Sequence, residues 1–437
     1  MSVFLVGIIG TIIVFCLIFL GMPIAIAFIT VGFFGVWMIR GLEAAIFCIR
    51  TAPYSSVTFY AWTVVPLFVL MGYLALHSGL AADFYSGIRR WIGHFRGGLA
   101  SAVIVGNTAF GACTGAPISS AVTFTEMSLP EMRKYKYDDK MTLGAIAAGS
   151  VLAGLIPPSM FFIIYGSLTT ISIGRLFIAG IIPGLILTGL YILTIYILCV
   201  RNPEVGPPGP KTTWKEKLQA GLGMWSFLAV FIVIIGGIYF GVYTPTEAGS
   251  AGVLTILVLG LARRRLSWQG FRKSLLDSGI TVGMVGLLLM GSLFFNIFLA
   301  LTGVPATIAT SISTLAHTPL ATIWIIIGIL FVLGMFIDGL PLTMIMIPML
   351  YPIVKSMGID GVHFGVISVL IIQIGALTPP FGILVYAVAG TAKDVPLFDI
   401  FRGVIPFVIA MFVCLALVIF IPQISLFLPS TMFPPLG

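Results

Sequence analysis

Apolar residues run along this chain in long unbroken stretches. They show neither the alternation of half-buried strands nor the narrow stripe of a surface helix. Runs of about 18 or more residues recur from end to end, as membrane-spanning helices require. The first covers Val3 to Leu20, with no basic leading segment and no small-residue cleavage site, and is expected to be a retained helix. The longest polar stretch, RNPEVGPPGPKTTWKEK at 201–217, is too short for a soluble domain. Outer-membrane strands would be short and alternating. The pattern predicts an all-α, polytopic integral membrane protein.

Two stretches break the apolar pattern where a helix should continue. GACTGAPISS at 111–120 and GMFIDGLPLT at 334–343 place Gly, Pro, Ser, Thr and one Asp between apolar flanks. Two further runs are interrupted by proline pairs, LIPPSM at 155–160 and LTPPFG at 377–382. An offset of about 222 residues relates these pairs, and also FVLMG (68–72) to LLLMG (287–291), Pro23 to Pro245, and GIIP (180–183) to GVIP (403–406). The common order predicts a duplication. A first repeat, 1–200, holds scaffold helices over 3–39, an amphipathic arm over 81–95, a helical hairpin over 98–130 and an interrupted helix over 140–169. A linker, 201–221, leads to a second repeat, 222–437. There the scaffold helices span 222–262, the arm 304–317, the hairpin 320–353 and the interrupted helix 362–390.

Charge placement orients the repeats. If each hairpin dips into the membrane and returns, each half crosses five times, and the second half is inverted. Of the 22 lysines and arginines, only Arg40, Arg50, Arg175 and Lys355 then share the side of the N-terminus. The remaining 18 lie opposite, which makes that side cytoplasmic and both termini periplasmic. Hairpins that crossed fully would put the basic loop 131–140 and the stretch 201–217 on opposite sides, so the re-entrant topology is preferred. The net charge of +8 reflects this asymmetry; no nucleic-acid motif accompanies it.

Composition narrows the chemistry. Only 8% of residues are charged against 59% hydrophobic, where soluble domains carry roughly 25% charged residues. The five cysteines (Cys16, Cys48, Cys113, Cys199, Cys414) lie in or beside apolar runs without CxxC spacing, and read as packed apolar residues. His77, His94, His317 and His363 are scattered. No GxxxxGK[ST], HExxH or GxSxG pattern occurs, and no enzyme is expected.

Non-helical backbone at membrane depth is tolerated only where protein or a water-filled cavity surrounds it. Two re-entrant tips and two interrupted helices point to the midplane site of a transporter. Thr114, Ser119, Ser120, Asp338 and Thr343, with carbonyls freed by Pro117, Pro157, Pro341 and Pro379, offer hard oxygen ligands, so sodium is the expected coupling ion. A carboxylate at the bilayer centre costs about 2.5–3.5 kcal/mol on insertion scales, which makes Asp338 a functional residue or, in a proton-coupled alternative, the proton carrier. Competing readings stay open here. Small residues also let helices pack closely, and Ser or Thr can bond back to its own helix. A channel, or an intramembrane enzyme using Ser119 or Asp338, is a weaker fit. Glu247 is expected in a helix's first turn, and Arg175 against substrate or lipid.

TPTEAG after GIYFGVY, LPEMRKYKYD after the first tip and LIPPSMFFIIYG together resemble the large membrane subunit of tripartite ATP-independent periplasmic (TRAP) transporters. The resemblance spans essentially the whole chain. It departs at the first tip, where GAPISS stands in place of a serine- and alanine-rich sequence. It implies sodium-driven uptake of a small organic anion, carboxylate or sulfonate, across the bacterial inner membrane. It also implies a small four-helix membrane subunit, a periplasmic substrate-binding protein, and an elevator movement of the hairpin-bearing domain. By that resemblance, Thr114, Gly115, Pro117, Ser119 and Ser120 with Gly154, Pro157, Pro158 and Ser159 make one sodium site. Asp338, Gly339, Pro341 and Thr343 with Gly375, Thr378, Pro379 and Pro380 make the other. The anion lies between the tips, where Ser119, Ser120, Ser159, Asp338 and Thr378 are the expected contacts. The arms would lie at the lipid interface, the first carrying Phe84, Tyr85, Trp91 and Phe95 at the membrane boundary.

Overall fold

The computed structural model describes residues 2–432 apart from 59, 211, 316 and 317. Lys211, His317 with the end of the arm expected over 304–317, and residues 433–437 of the second repeat lie outside that set, as does the side chain of Cys113. Among the described residues all regular structure is helical. The first half contains α1 (Val3–Phe19), α2 (Ile24–Arg40), α3 (Leu42–Val57), α4 (Val64–His77) and α5 (Leu80–Ile92). It continues through α6 (Gly98–Thr114), α7 (Pro117–Lys134), α8 (Asp139–Leu155), α9 (Met160–Thr169) and α10 (Ile173–Arg201). The second half opens with α11 (Trp214–Phe231), which passes through a π-helical turn into α12 (Gly237–Tyr239), then α13 (Pro245–Ala262), α14 (Trp268–Thr302) and α15 (Val304–Leu315). It ends with α16 (Pro319–Gly334), α17 (Gly339–Ser356), α18 (Gly361–Leu377), α19 (Ile383–Thr391), α20 (Leu397–Phe420) and α21 (Gln423–Ser430). Among the described residues seven helices are long and apolar enough to cross a membrane, and eight if α4 and α5, bent by 64° at their junction, count as one.

Local sequence sets where these helices begin. Asp138 accepts from the Met141 N–H at 2.9 Å at the start of α8, and Asp360 accepts from Val362 and His363 at the start of α18. Thr213 with Glu216 and Thr244 with Glu247 form capping boxes, each satisfying N–H groups that a helix start leaves open. The first box differs from the expected linker 201–221. TWKE is a helix-start signal, so α11 begins at Trp214 inside that stretch. What remains of the linker is strapped down: Gly97 N–H donates to Gly206 O, Gly209 N–H to Gly93 O, and Asp138 N–H to Val205 O. The helix α3 and the terminal α21 were not foreseen by the hydrophobic pattern.

The two interrupted helices form the centre. Every residue of α8 from Met141 to Leu155 and of α18 from Val362 to Leu377 is buried, as expected of helices apolar on all faces. Lipid offers helices no hydrophobic reason to associate, so close contact relies on small residues. A Cβ at Gly144 would lie 2.3 Å from the Gly403 carbonyl oxygen, and one at Gly111 2.4 Å from the Ala153 Cα. Elsewhere, Gly10 and Gly35 form a cup for the Phe298 ring, beside stacked Phe28 and Phe295 rings 5.3 Å apart. The packing of α2 on α14 has a counterpart in that of α13 on α4. Likewise α9 crosses to α17 and α19 to α7, so each interrupted helix sends its second part onto the other half's hairpin.

Candidate functional site

The first hairpin turns at Gly115–Ala116, between α6 and α7. Gly115 has φ +59°, and a Cβ there would lie 2.6 Å from the Pro158 carbonyl oxygen and 3.2 Å from the Met160 nitrogen. Only glycine accepts both the left-handed backbone and this approach. The tip is thereby seated on the break between α8 and α9. The second tip, 335–338 between α16 and α17, is seated differently. A Cβ at Gly339 would meet the Phe161 ring of α9 at 2.6 Å and Ile372 of α18 at 2.9 Å. Gly375 lies backbone-to-backbone with Gly334, at 2.6 Å for an added Cβ. The proline pairs at both breaks are cis.

Both tips face one helix, α14. Thr114, Ala116 and Ser119 line a small cavity of about 20 Å³ with Gly72, Tyr73 and Thr281. Asp338, Leu340, Pro341 and Met344 line a far larger one, about 550 Å³, against the α1–α2 turn and α14 from Met284 to Leu288. Thr281 and Met284 are three residues apart, about 4.5 Å of helix rise, so α14 is a wall common to both cavities. The breaks differ in the same sense: residues 156–160 are buried, whereas Pro379, Pro380 and Phe381 are exposed.

The direction of each hydroxyl proton says what its oxygen can bind. Thr114 Oγ1 donates to Phe110 O at 3.1 Å, Thr343 Oγ1 to Gly339 O at 2.7 Å, and Thr378 Oγ1 to Ile374 O at 2.7 Å. A hydroxyl so engaged keeps lone pairs to offer a cation but has no proton left for an anion. Ser159 donates to Gly154 O at 2.5 Å. That carbonyl has no helical partner, because Pro158 lacks the N–H. Ser120 is fully buried and donates to Asn107 Oδ1 at 2.6 Å inside the hairpin, away from the cavity. Ser119 lines the cavity and its hydroxyl makes no hydrogen bond among the described residues.

Asp338 occupies the N-cap position of α17 without capping it by its side chain, and makes no ion pair among the described residues. Ala116 at the N-cap of α7 offers no side-chain cap either. The start of α7 is thus open, with backbone N–H groups and the helix dipole favouring an anion, whereas at α17 the Asp338 carboxyl takes the Gly339 N–H and already supplies the negative group. Among the described residues no group of three or more His, Cys, Asp and Glu side chains could hold a metal ion. Any cation here would be held by hydroxyl and carbonyl oxygens, with Asp338 the nearest carboxylate to the second tip.

Several residues at the site were not singled out from sequence. Tyr73 bonds Thr281 at 2.9 Å beside the first tip. Asn107 supports Ser120, and its amide donates to Val103 O. Gln373 of α18 reaches Val151 O at 3.5 Å and sits where a Cβ on Gly154 would be 1.9 Å away. Asn296 of α14 donates to Met344 O of the second hairpin at 3.2 Å. The one available signal was a lone amide inside an apolar run, which calls for a buried partner.

Comparison with known proteins decides the family. The family model described as "Tripartite ATP-independent periplasmic transporter, DctM component" matches residues 11–424. The chain belongs to this family. It is 32% identical to the sialic acid TRAP transporter large permease protein of Vibrio cholerae, over 95% of this chain and 96% of that one. It is 33% identical to the ectoine/5-hydroxyectoine TRAP transporter large permease protein of Ruegeria pomeroyi, over 95% and 97%. It is 30% identical to the C4-dicarboxylate TRAP transporter large permease protein of Pseudomonas aeruginosa, over 85% and 86%. This TRAP large permease is therefore a transporter component and not an enzyme. Its fold is shared with the Alcanivorax borkumensis YdaH transporter, at a TM-score of 0.58 and 13% identity over 89% of this chain and 88% of that one.

Proposed function

We propose that this permease couples inward movement of sodium to uptake of a small organic carboxylate, by moving the two tips along the α4 and α14 wall. The substrates named for its relatives (sialic acid, ectoine and C4-dicarboxylates) all carry a carboxylate. A small membrane subunit and a periplasmic substrate-binding protein complete the assembly, as the family's tripartite description suggests.

The observation that carries the reading is the inequality of the two tips on one wall. The second tip opens onto about 550 Å³ while the first is closed down to about 20 Å³. On the topology preferred from charge placement, the α1–α2 turn is cytoplasmic. The larger cavity then opens inward and the conformation is inward-facing. The two halves are related by inversion, and sliding α6–α9 with α16–α19 as one body against the scaffold exchanges the two cavities. Sodium at the hydroxyl and carbonyl oxygens of each tip supplies positive charge next to an anion held by Ser119 and the open start of α7. Each ligand thereby raises the other's affinity.

A second reading is favoured by one feature: Asp338 faces the larger cavity with no basic partner among the described residues, as a proton carrier would. The thermal midpoint of the purified chain in sodium, against potassium and choline at equal ionic strength, separates the two. A ligand at about 100 times its dissociation constant stabilises by roughly 2.7 kcal/mol. A sodium-specific rise that Thr343→Val abolishes is expected. Equal midpoints in all three salts, with a midpoint that depends on pH until Asp338→Asn removes the dependence, would transfer the coupling to protons.

A further inference from the structure

A cavity of about 780 Å³ lies between α5, α6 and α10, away from the tips. Its walls are one face of α6 from Gly98 to Val105 and one face of α10 from Gly189 to Val200. The α10 wall alone is about 16 Å long at 1.5 Å per residue. Those walls are almost wholly apolar, and several of their side chains, Leu193 and Val200 among them, are about half exposed.

One end of the groove is chemically different. Arg96 lines it, while Arg201, the residue after Val200, ends α10 on a neighbouring face outside the groove lining. Both arginines are exposed, and neither makes an ion pair among the described residues. Tyr196 lines the groove below them, and the Trp91 and Trp214 rings meet edge-on 6.5 Å apart nearby on α5 and α11. Tyr and Trp mark the headgroup level of a bilayer. The groove therefore descends from a cationic rim, marked by Arg96, at headgroup depth into the hydrocarbon region.

We propose that this groove binds an anionic phospholipid, one acyl chain lying between α6 and α10 and the phosphate held by Arg96. An apolar trough suits an acyl chain. An arginine without an acidic partner among the described residues suits a phosphate, which a guanidinium fork binds in bidentate fashion. A basic pocket between membrane helices is where anionic headgroups collect. The occupant touches the arm, the first hairpin and α10 together, so it stabilises the arrangement described here. The inference does not rest on which ion or substrate the permease moves.

The floor of the groove supplies a clean variant. A Cβ added at Gly189 would meet nothing within 4 Å, so Gly189→Leu fills the trough without displacing protein atoms. The experiment follows the thermal midpoint of the full chain in a neutral detergent, titrated with phosphatidylglycerol or with phosphatidylcholine of the same chains. Phosphatidylglycerol is expected to raise the midpoint, less so at high salt, and phosphatidylcholine is not. Arg96→Gln is expected to weaken the apparent affinity for phosphatidylglycerol about fivefold, the worth of about 1 kcal/mol per basic residue at a membrane surface. Gly189→Leu should abolish the rise while leaving the lipid-free midpoint unchanged. Three results would overturn the proposal: an equal rise with phosphatidylcholine, a full rise from chainless glycerophosphoglycerol, or an undiminished phosphatidylglycerol effect in both variants. A groove occupied by a partner's helix would give the last of these.

Discussion

Asn296, half-buried on α14, donates its side-chain amide to the Met344 carbonyl of α17 at 3.2 Å. That oxygen lacks its ordinary helical partner because the residue four positions on is Pro348, which has no N–H. The amide therefore replaces a missing rung of α17 and ties the second hairpin to α14. Asn296→Ala strands the oxygen. A buried unsatisfied carbonyl costs about 1–3 kcal/mol, but interhelical hydrogen bonds in membrane proteins average only about 0.6 and reach about 1.7. Met344 lines the large cavity, where water can partly substitute, so about 1 kcal/mol is the expected cost. The decisive assay is a double-mutant cycle on the midpoint of unfolding in detergent. Pro348→Ala restores an N–H that can serve Met344, so in that background Asn296→Ala should cost little. The coupling energy should then approach the whole single-mutant effect. Equal cost in both backgrounds would refute the account, since the amide would then be acting through packing and not through the orphaned carbonyl.

Two further outcomes follow from the same geometry. Gly115→Ala is expected to destabilise by about 1–2 kcal/mol from the left-handed backbone alone, and to weaken any sodium-dependent midpoint shift by pushing the tip off Pro158. Asn accepts that backbone but its Cβ meets the same oxygen, so rescue by Gly115→Asn would place the whole effect on φ. At the α19–α20 turn, hydrogen bonds from Arg133 hold the Asp394 carboxyl below its ordinary value. A depressed carboxyl adds stability above its unfolded pKa, and that stability is lost as pH falls through the folded value. The loss should begin on the acid side of roughly pH 4. Asp394→Asn is expected to flatten that part of a midpoint-against-pH curve; an unchanged curve would mean the bridge is open in solution.

The large features were legible because each leaves a pattern longer than one helix turn. Apolar runs gave the helices, and the first turn, Gly115–Ala116, falls within the expected tip, whereas the second turn, 335–338, comes just before the expected GLPLT, which instead opens α17. Where the reading stopped, the missing information was a partner. Asn107, Asn296 and Gln373 are single amides in apolar helices, and nothing local says which backbone group or side chain each will serve. Proline comes closest to a written clue, because it orphans the carbonyl four residues earlier. Pro158 orphans Gly154 O, which Ser159 then serves, and Pro348 orphans Met344 O, which Asn296 serves. Ser159 could have been assigned from sequence alone by that rule. Asn296 could not, since it lies 48 residues from its acceptor. The start of α11 was missed for a different reason: the polar stretch 201–217 was read by composition, although the Thr213–Glu216 spacing already marked a helix start.

The direction of the hydroxyl hydrogen bonds changes what back-bonding means at the tips. From sequence, a threonine that bonds to its own helix and one that binds an ion look like rival readings of Thr114, Thr343 and Thr378. In the structure all three donate to the carbonyl four residues before. A hydroxyl has one proton and two lone pairs. Spending the proton on the helix fixes the oxygen's position and leaves it a pure acceptor, which a hard cation can use and an anion cannot. Back-bonding is therefore compatible with cation ligation at these positions and not a rival to it. On the proposed function, Thr114, Thr343 and Thr378 would serve the ion, and Ser119, with no hydrogen bond among the described residues, the anion.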